Sequence, residues 1–123
     1  MMNPVSVLVV EDEGLIALHI IELLTEEGFI VPDSFSSGEE LIEYLKTSPL
    51  PQLILMDIGL TGKIDGIETA RRVSERYSVP IIFLTADADQ RKIQEIKEIS
   101  PYGYLTKPII RHELLTAIER ALT

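Results

Sequence analysis

Residues 7 to 13 read VLVVEDE and residues 53 to 57 read LILMD. The first belongs to an apolar, β-branched run from Val5 to Val10, the second to a run from Leu53 to Met56, and each stops in acid. Short runs that are apolar at consecutive positions suit strands covered on both faces, as in a parallel sheet. A third run, Pro80 to Leu84, follows Val79 and ends at Thr85, with Pro80 tolerable as the first residue of a strand. Two weaker strands are expected at the sheet edges: Phe29 to Val31, cut by Pro32, and Gly103 to Thr106, short and carrying Tyr104.

Between the strands the hydrophobic period changes from two to 3.6. Leu15, Ile16, Leu18, Ile20, Leu23 and Leu24 mark a first helix that ends before Gly28. Ser37 and Glu40 form a capping-box pair ahead of Leu41 to Leu45, and Asp65 can cap Ile67 to Tyr77 with Glu68 at the third helical position. Asp87 or Asp89 can cap Ile93 to Ile99. A last helix runs from about Arg111 to Leu122, with Leu114, Leu115, Ile118 and Leu122 on its apolar side. Five βα units with right-handed crossovers give an α/β fold: a doubly wound, five-stranded parallel sheet of order 2-1-3-4-5, flavodoxin-like (βα)5. Ligands of such sheets sit beyond the carboxyl ends of the strands, at the switch point between the first and third. Those two strands are the ones that end in acid.

At 123 residues the chain fits a single domain, 1–123, burying roughly two-thirds of its unfolded surface. The absence of cysteine excludes disulfides and thiolate metal sites. A net charge of −9 opposes direct binding to nucleic acid or anionic membrane. No apolar run approaches a membrane span. Met1 to Val5 has neither a basic region nor a long apolar stretch of signal-peptide type, so a cytoplasmic location is expected.

Glu11, Asp12 and Glu13 follow the first strand and Asp57 ends the third, so at least three carboxylates should converge on one cleft. Such carboxylates repel by about 1 to 4 kcal/mol per pair, and a hard cation removes that cost. An all-oxygen site without clustered histidine favours Mg²⁺, with Mn²⁺ as an alternative. The competing reading of the acidic tripeptide is a solvated turn at a helix N-terminus. Thr85 and Lys107 end the fourth and fifth strands on the same edge, where a lysine and a hydroxyl complete what a phosphoryl group requires. Asp57 is then the candidate nucleophile.

The chain resembles the receiver domains of response regulators over essentially its full length. The resemblance rests on Val-Val-Glu-Asp at 9 to 12, Leu-Met-Asp at 55 to 57, Thr-Ala at 85 and 86, and Tyr-Leu-Thr-Lys-Pro at 104 to 108, in matching order and spacing. It implies that Asp57 is phosphorylated. It also implies that Asp12 and Asp57 bind Mg²⁺ directly, Glu11 through water, and Gly59 by its backbone carbonyl. Thr85 becomes the switch hydroxyl, Tyr104 the aromatic that turns inward, Lys107 the phosphoryl-binding lysine, and Pro108 the residue after a cis bond. Gly59 and Asp87 occupy the positions that tune dephosphorylation. The implied donor is a histidine kinase or histidine phosphotransfer protein. The implied output face is the fourth helix with the fifth strand and helix, serving a separate partner, a fused output domain or a second copy in a homodimer.

The segment from Asp57 to Gly66, DIGLTGKIDG, departs from the family: it is one residue longer than the common loop and lacks its Met-Pro. Two other classes stay open at this point. A Mg²⁺ phosphohydrolase would share the nucleophile but needs a second acid two residues on, where Gly59 stands. A phosphate-independent interaction module would be expected to have lost Asp57 or Lys107, and both are present. On the leading reading the chemistry is self-modification and autodephosphorylation, not turnover of a small molecule. His19 and His112 read as ordinary surface or boundary residues, and the mixed charges Arg91 to Glu98 as a solvated face.

Overall fold

Alternate residues of each central strand go to opposite sides of the sheet, and both sides are covered. The computed structural model describes residues 4–86, 90–100 and 102–123. Its elements run β1 (Val7–Val10), α1 (Gly14–Glu26), β2 (Ser34–Phe35), α2 (Gly38–Thr47), β3 (Leu53–Asp57), α3 (Gly66–Arg76), β4 (Ile81–Thr85), α4 (Gln90–Ile99), β5 (Tyr104–Thr106) and α5 (Arg111–Leu122). The sheet order is β2-β1-β3-β4-β5, with every pairing parallel. Every residue of β1, β3 and β4 is buried, as the consecutive apolar runs require. Leu8, Val10, Ile54 and Met56 pack with Leu41, Ile67, Val73 and Ile96 on the face covered by α2, α3 and α4. Val7, Val9, Leu53 and Leu55 pack with Ile20, Leu24, Leu114 and Ile118 on the face covered by α1 and α5.

The second strand does not lie where sequence reasoning puts it. Phe29 to Val31 supplies only an isolated bridge between Ile30 and Ser6, and the two-residue β2 pairs Ser34 with Val9 and Phe35 with Val10. Pro32 explains the displacement, since it has no N–H for the ladder and fixes its own φ. Pairing begins at Ile30, whose N–H donates to Val5 O at 2.9 Å, lapses, and resumes where Glu11 N donates to Phe35 O at 2.9 Å.

Helix ends follow their sequence signals. Ser37 Oγ accepts from Glu40 N at 3.3 Å and Asp65 Oδ1 accepts from Glu68 N at 2.8 Å. The Ser37 box is only half made, because Glu40 Oε1 accepts from the Ser36 and Ser37 hydroxyls instead of a backbone N–H. Gly28 ends the first helical segment at φ +89°, a conformation suited to glycine. The expected caps of α4, Asp87 and Asp89, lie outside the described residues. In α5 the buried face is Leu114, Ile118 and Ala121, while Leu122, expected inside, is 38% exposed. Among the described residues no helix is long and apolar enough to cross a membrane.

Gly66 fixes how α3 meets the sheet. Its N–H donates to Ile58 O at 3.2 Å, and a Cβ there would run into the carbonyl of Asp57. The helix therefore starts directly against the backbone of the strand end that carries the central acid.

Candidate functional site

Parallel pairing places the carboxyl ends of the central strands side by side. Val10 is level with Met56, Asp57 with Leu84, and Thr85 with Thr106. Ile58 N donates to Leu84 O at 2.9 Å and Lys107 N to Thr85 O at 2.8 Å, so the ladder continues past the strand ends into the site. The Lys107–Pro108 peptide is cis, as the resemblance implies.

Asp57 is 3% exposed. Its Oδ1 accepts from Gly59 N at 2.9 Å and lies 3.2 Å from Lys107 Nζ. Lys107 Nζ lies closer still to Glu11 Oε1, at 2.7 Å. Apart from that ion pair, Glu11 Oε1 is buried with no hydrogen-bond donor among the described residues. Glu11 Oε2 accepts from Glu13 N at 3.1 Å. Glu11, Asp12 and Asp57 each present one carboxylate oxygen within 4.8 Å of the others. Such a set of oxygens, two of them on buried side chains, fits a hard divalent cation.

Burial pushes the Glu11 carboxyl up to about 7, and neighbouring Asp57 adds to the rise; Lys107 and the Glu13 N–H only partly oppose it. Burial draws the Lys107 ammonium down, but Glu11 and Asp57 outweigh that and hold it above its ordinary value. The site thus keeps a firmly charged lysine beside a carboxyl that gives up its proton near neutrality. Asp12, Asp57, Thr85 and Lys107 all line one cleft of ≈ 300 Å³, roomy enough for a hydrated cation and a phosphoryl group at about 30 Å³ per water.

Residues 7–119 match the family of the response regulator receiver domain. The chain belongs to that family. It is the receiver domain of a response regulator, the two-component signalling class. The receiver domain is 32% identical over 120 residues to the transcriptional regulatory protein PdtaR of Mycobacterium tuberculosis, covering 98% of this chain and 58% of that protein. It is also 32% identical over 121 residues to the positive alginate biosynthesis regulatory protein of Pseudomonas aeruginosa, covering 94% of this chain and 46% of that one. The chain spans about half the length of these curated relatives. Among solved structures, the signal receiver domain of a modulated diguanylate cyclase from Desulfovibrio desulfuricans superposes with a TM-score of 0.89 at 37% identity, covering 98% of this chain and 94% of that one.

Other candidate residues of the receiver domain stand apart from the cleft or complete its wall. Tyr104 is half-buried against the core and lines a separate groove with His112 and Arg120. His19 Nε2 lies 3.4 Å from Ile109 O. Asp87 lies outside the described residues. Gly59 is exposed, and a Cβ there would sit 3.6 Å from Asp57 Oδ1, so any side chain at 59 would begin against the Asp57 carboxylate.

Three contributors escape sequence reasoning. Lys92 of α4 lines the cleft, although its helix reads as a solvated face. Thr61 Oγ1 donates to Asp12 Oδ2 at 3.0 Å, and Glu39 Oε1 of α2 accepts from Ile64 N at 2.9 Å. Both bonds belong to the lengthened loop after β3, the one signal in the sequence that pointed to this wall.

Proposed function

We propose that this receiver domain accepts a phosphoryl group on Asp57 from a histidine kinase or a histidine phosphotransfer protein, in a Mg²⁺-dependent step, and regulates an output through its α4-β5-α5 face. The observation that carries the proposal is the buried Asp57 carboxylate, 3.2 Å from Lys107 Nζ and clustered with oxygens of Glu11 and Asp12. A carboxylate oxygen of Asp57 attacks phosphorus, a P–O bond forms, the P–N bond of phosphohistidine breaks, and the imidazole leaves with its electron pair. Asp12 and Asp57, with the Gly59 carbonyl and Glu11 through water, would hold Mg²⁺, or Mn²⁺ in its place. The cation neutralises phosphoryl oxygens when bound.

Lys107 balances the remaining phosphoryl charge and the Thr85 hydroxyl donates to one of its oxygens. By analogy with other phosphorylated side chains the phosphoryl group carries about −1.5 to −2 charge, in place of the single negative charge of the Asp57 carboxylate. New bonds to Thr85 and Lys107 draw on adjacent ends of β4 and β5, and so bias two arrangements of the units that carry α4, β5 and α5, with Tyr104 as the reporter. That face would serve a separate partner, a fused output domain or a second copy of the chain. The activity is self-modification followed by autodephosphorylation, in the cytoplasm. Gly59 supplies no second acid of the kind a phosphohydrolase uses, and Asp87 is positioned in sequence to tune the lifetime of the phosphoryl group.

Intact mass after incubation with acetyl phosphate tests this reading. The wild type should gain one phosphoryl group with Mg²⁺ and none with chelator, and Asp57→Asn should gain none in either. A wild type that stays unmodified where a control receiver is labelled leaves the phosphate-independent interaction module in its place.

A further inference from the structure

The loop between β3 and α3 is tied down along its length, and one tie reaches the acidic cluster. At its start Gly59 N donates to Asp57 Oδ1 at 2.9 Å. In its middle Thr61 Oγ1 donates to Asp12 Oδ2 at 3.0 Å, across 49 residues of sequence. Near its end Ile64 N donates to Glu39 Oε1 at 2.9 Å, and a Cβ at Gly62 would come within 2.6 Å of Glu39 Oε2. The carboxylate of Glu39 therefore fills the space that glycine leaves at 62 and holds the segment that presents Thr61. Asp12 itself sits on the turn after β1, half-buried, with Thr61 the donor to its side chain among the described residues.

We propose that Thr61 is a positioning residue for the cation site: its hydroxyl fixes the carboxylate of Asp12 by engaging Oδ2, leaving Oδ1 to a divalent cation. This rests on the reading that Glu11, Asp12 and Asp57 hold that cation. A half-buried carboxylate on a turn still rotates about its side-chain bonds, and each cation captured must first stop that rotation. A hydroxyl donor removes the cost beforehand without adding charge, as outer-shell partners of metal ligands do elsewhere. The lengthened loop, held by Glu39 from the neighbouring helix, is what carries the hydroxyl there.

The test is Mg²⁺ binding to the full chain, read by calorimetry and, for Mn²⁺, by the loss of the free-ion electron paramagnetic resonance signal. Neither readout involves phosphorylation. Thr61→Val keeps the shape and removes the donor, and should weaken the Mg²⁺ Kd about tenfold, the lower end for outer-shell partners because Thr61 is exposed. Thr61→Ser restores the donor and should bind within about twofold of wild type. Urea midpoints in chelator, equal for all three proteins, keep folding out of the comparison. Wild-type affinity in Thr61→Val, or a Ser variant as weak as the Val variant, overturns the positioning role alone. A wild type that binds neither ion overturns the cation site and the role of Thr61 together.

Discussion

The ammonium of Lys107 lies 2.7 Å from Glu11 Oε1 and 3.2 Å from Asp57 Oδ1, so one lysine is shared between two buried acids. Glu11 is the less easily ionised partner, its carboxyl raised to about 7 first by burial. Its pKa is higher folded than unfolded, so the protonated form favours the native state. That contribution is complete below the unfolded value of 4.5 and is lost as pH rises through about 7.

In chelator, therefore, the stability difference between wild type and Glu11→Gln should change with pH, wild type losing ground from pH 5 to pH 8. Urea midpoints across that range measure it. Mg²⁺ affinity should run the other way, rising with pH through about 7, because the form of Glu11 that would hold the cation through water is the carboxylate. Parallel stability profiles for the two proteins would show that Glu11 titrates like an ordinary exposed acid.

Lys107→Met removes the cation from two buried carboxylates. We expect a loss of about 1–3 kcal/mol at pH 8 in chelator, the cost of leaving buried polar groups unsatisfied. The loss should shrink at pH 5.5, where Glu11 carries a proton, and shrink also on adding Mg²⁺, which supplies a replacement charge. A loss unchanged by either condition would mean that the lysine acts by packing its stem.

Gly66→Ala and Gly62→Ala separate a backbone clash from a side-chain clash. At 66 the new Cβ meets the carbonyl of Asp57 and lies 2.8 Å from Ile58 Cα, neither of which can move without shifting β3. Overpacking of that kind costs about 1–3 kcal/mol, and it should also slow phosphorylation, because Asp57 itself is displaced. At 62 the obstacle is the end of the flexible Glu39 side chain, so the cost should stay below about 1 kcal/mol. Urea denaturation with phosphorylation kinetics on the same preparations checks both. Equal costs would contradict the rigid contact at Gly66.

The central strands and the acidic edge were legible because burial on both faces leaves an unbroken apolar run, and parallel topology brings every strand end to one side. Asp12, Asp57, Thr85 and Lys107 could thus be placed together from sequence. The edges were less legible. Pro32 moved the second strand from Phe29–Val31 to Ser34–Phe35, and Leu15 and Leu18 of α1, apolar by type, are 84% and 52% exposed. Ala121 was overlooked beside Leu122 because its small side chain carries little hydrophobic signal, although the helical period from Leu114 and Ile118 points to it. Thr61, Glu39 and Lys92 are common surface residue types, and their roles come from contacts that no local pattern encodes. Thr61 and Asp12 are 49 residues apart, Glu39 and Ile64 25.

The most direct test of Asp57 as acceptor is to trap its acyl phosphate. Borohydride reduces an aspartyl phosphate to homoserine, and peptide mass spectrometry then locates the converted residue. After treatment with acetyl phosphate and Mg²⁺, homoserine is expected at position 57. Homoserine at Asp12 or Asp65 instead, or a labelled protein with none, would contradict the assignment.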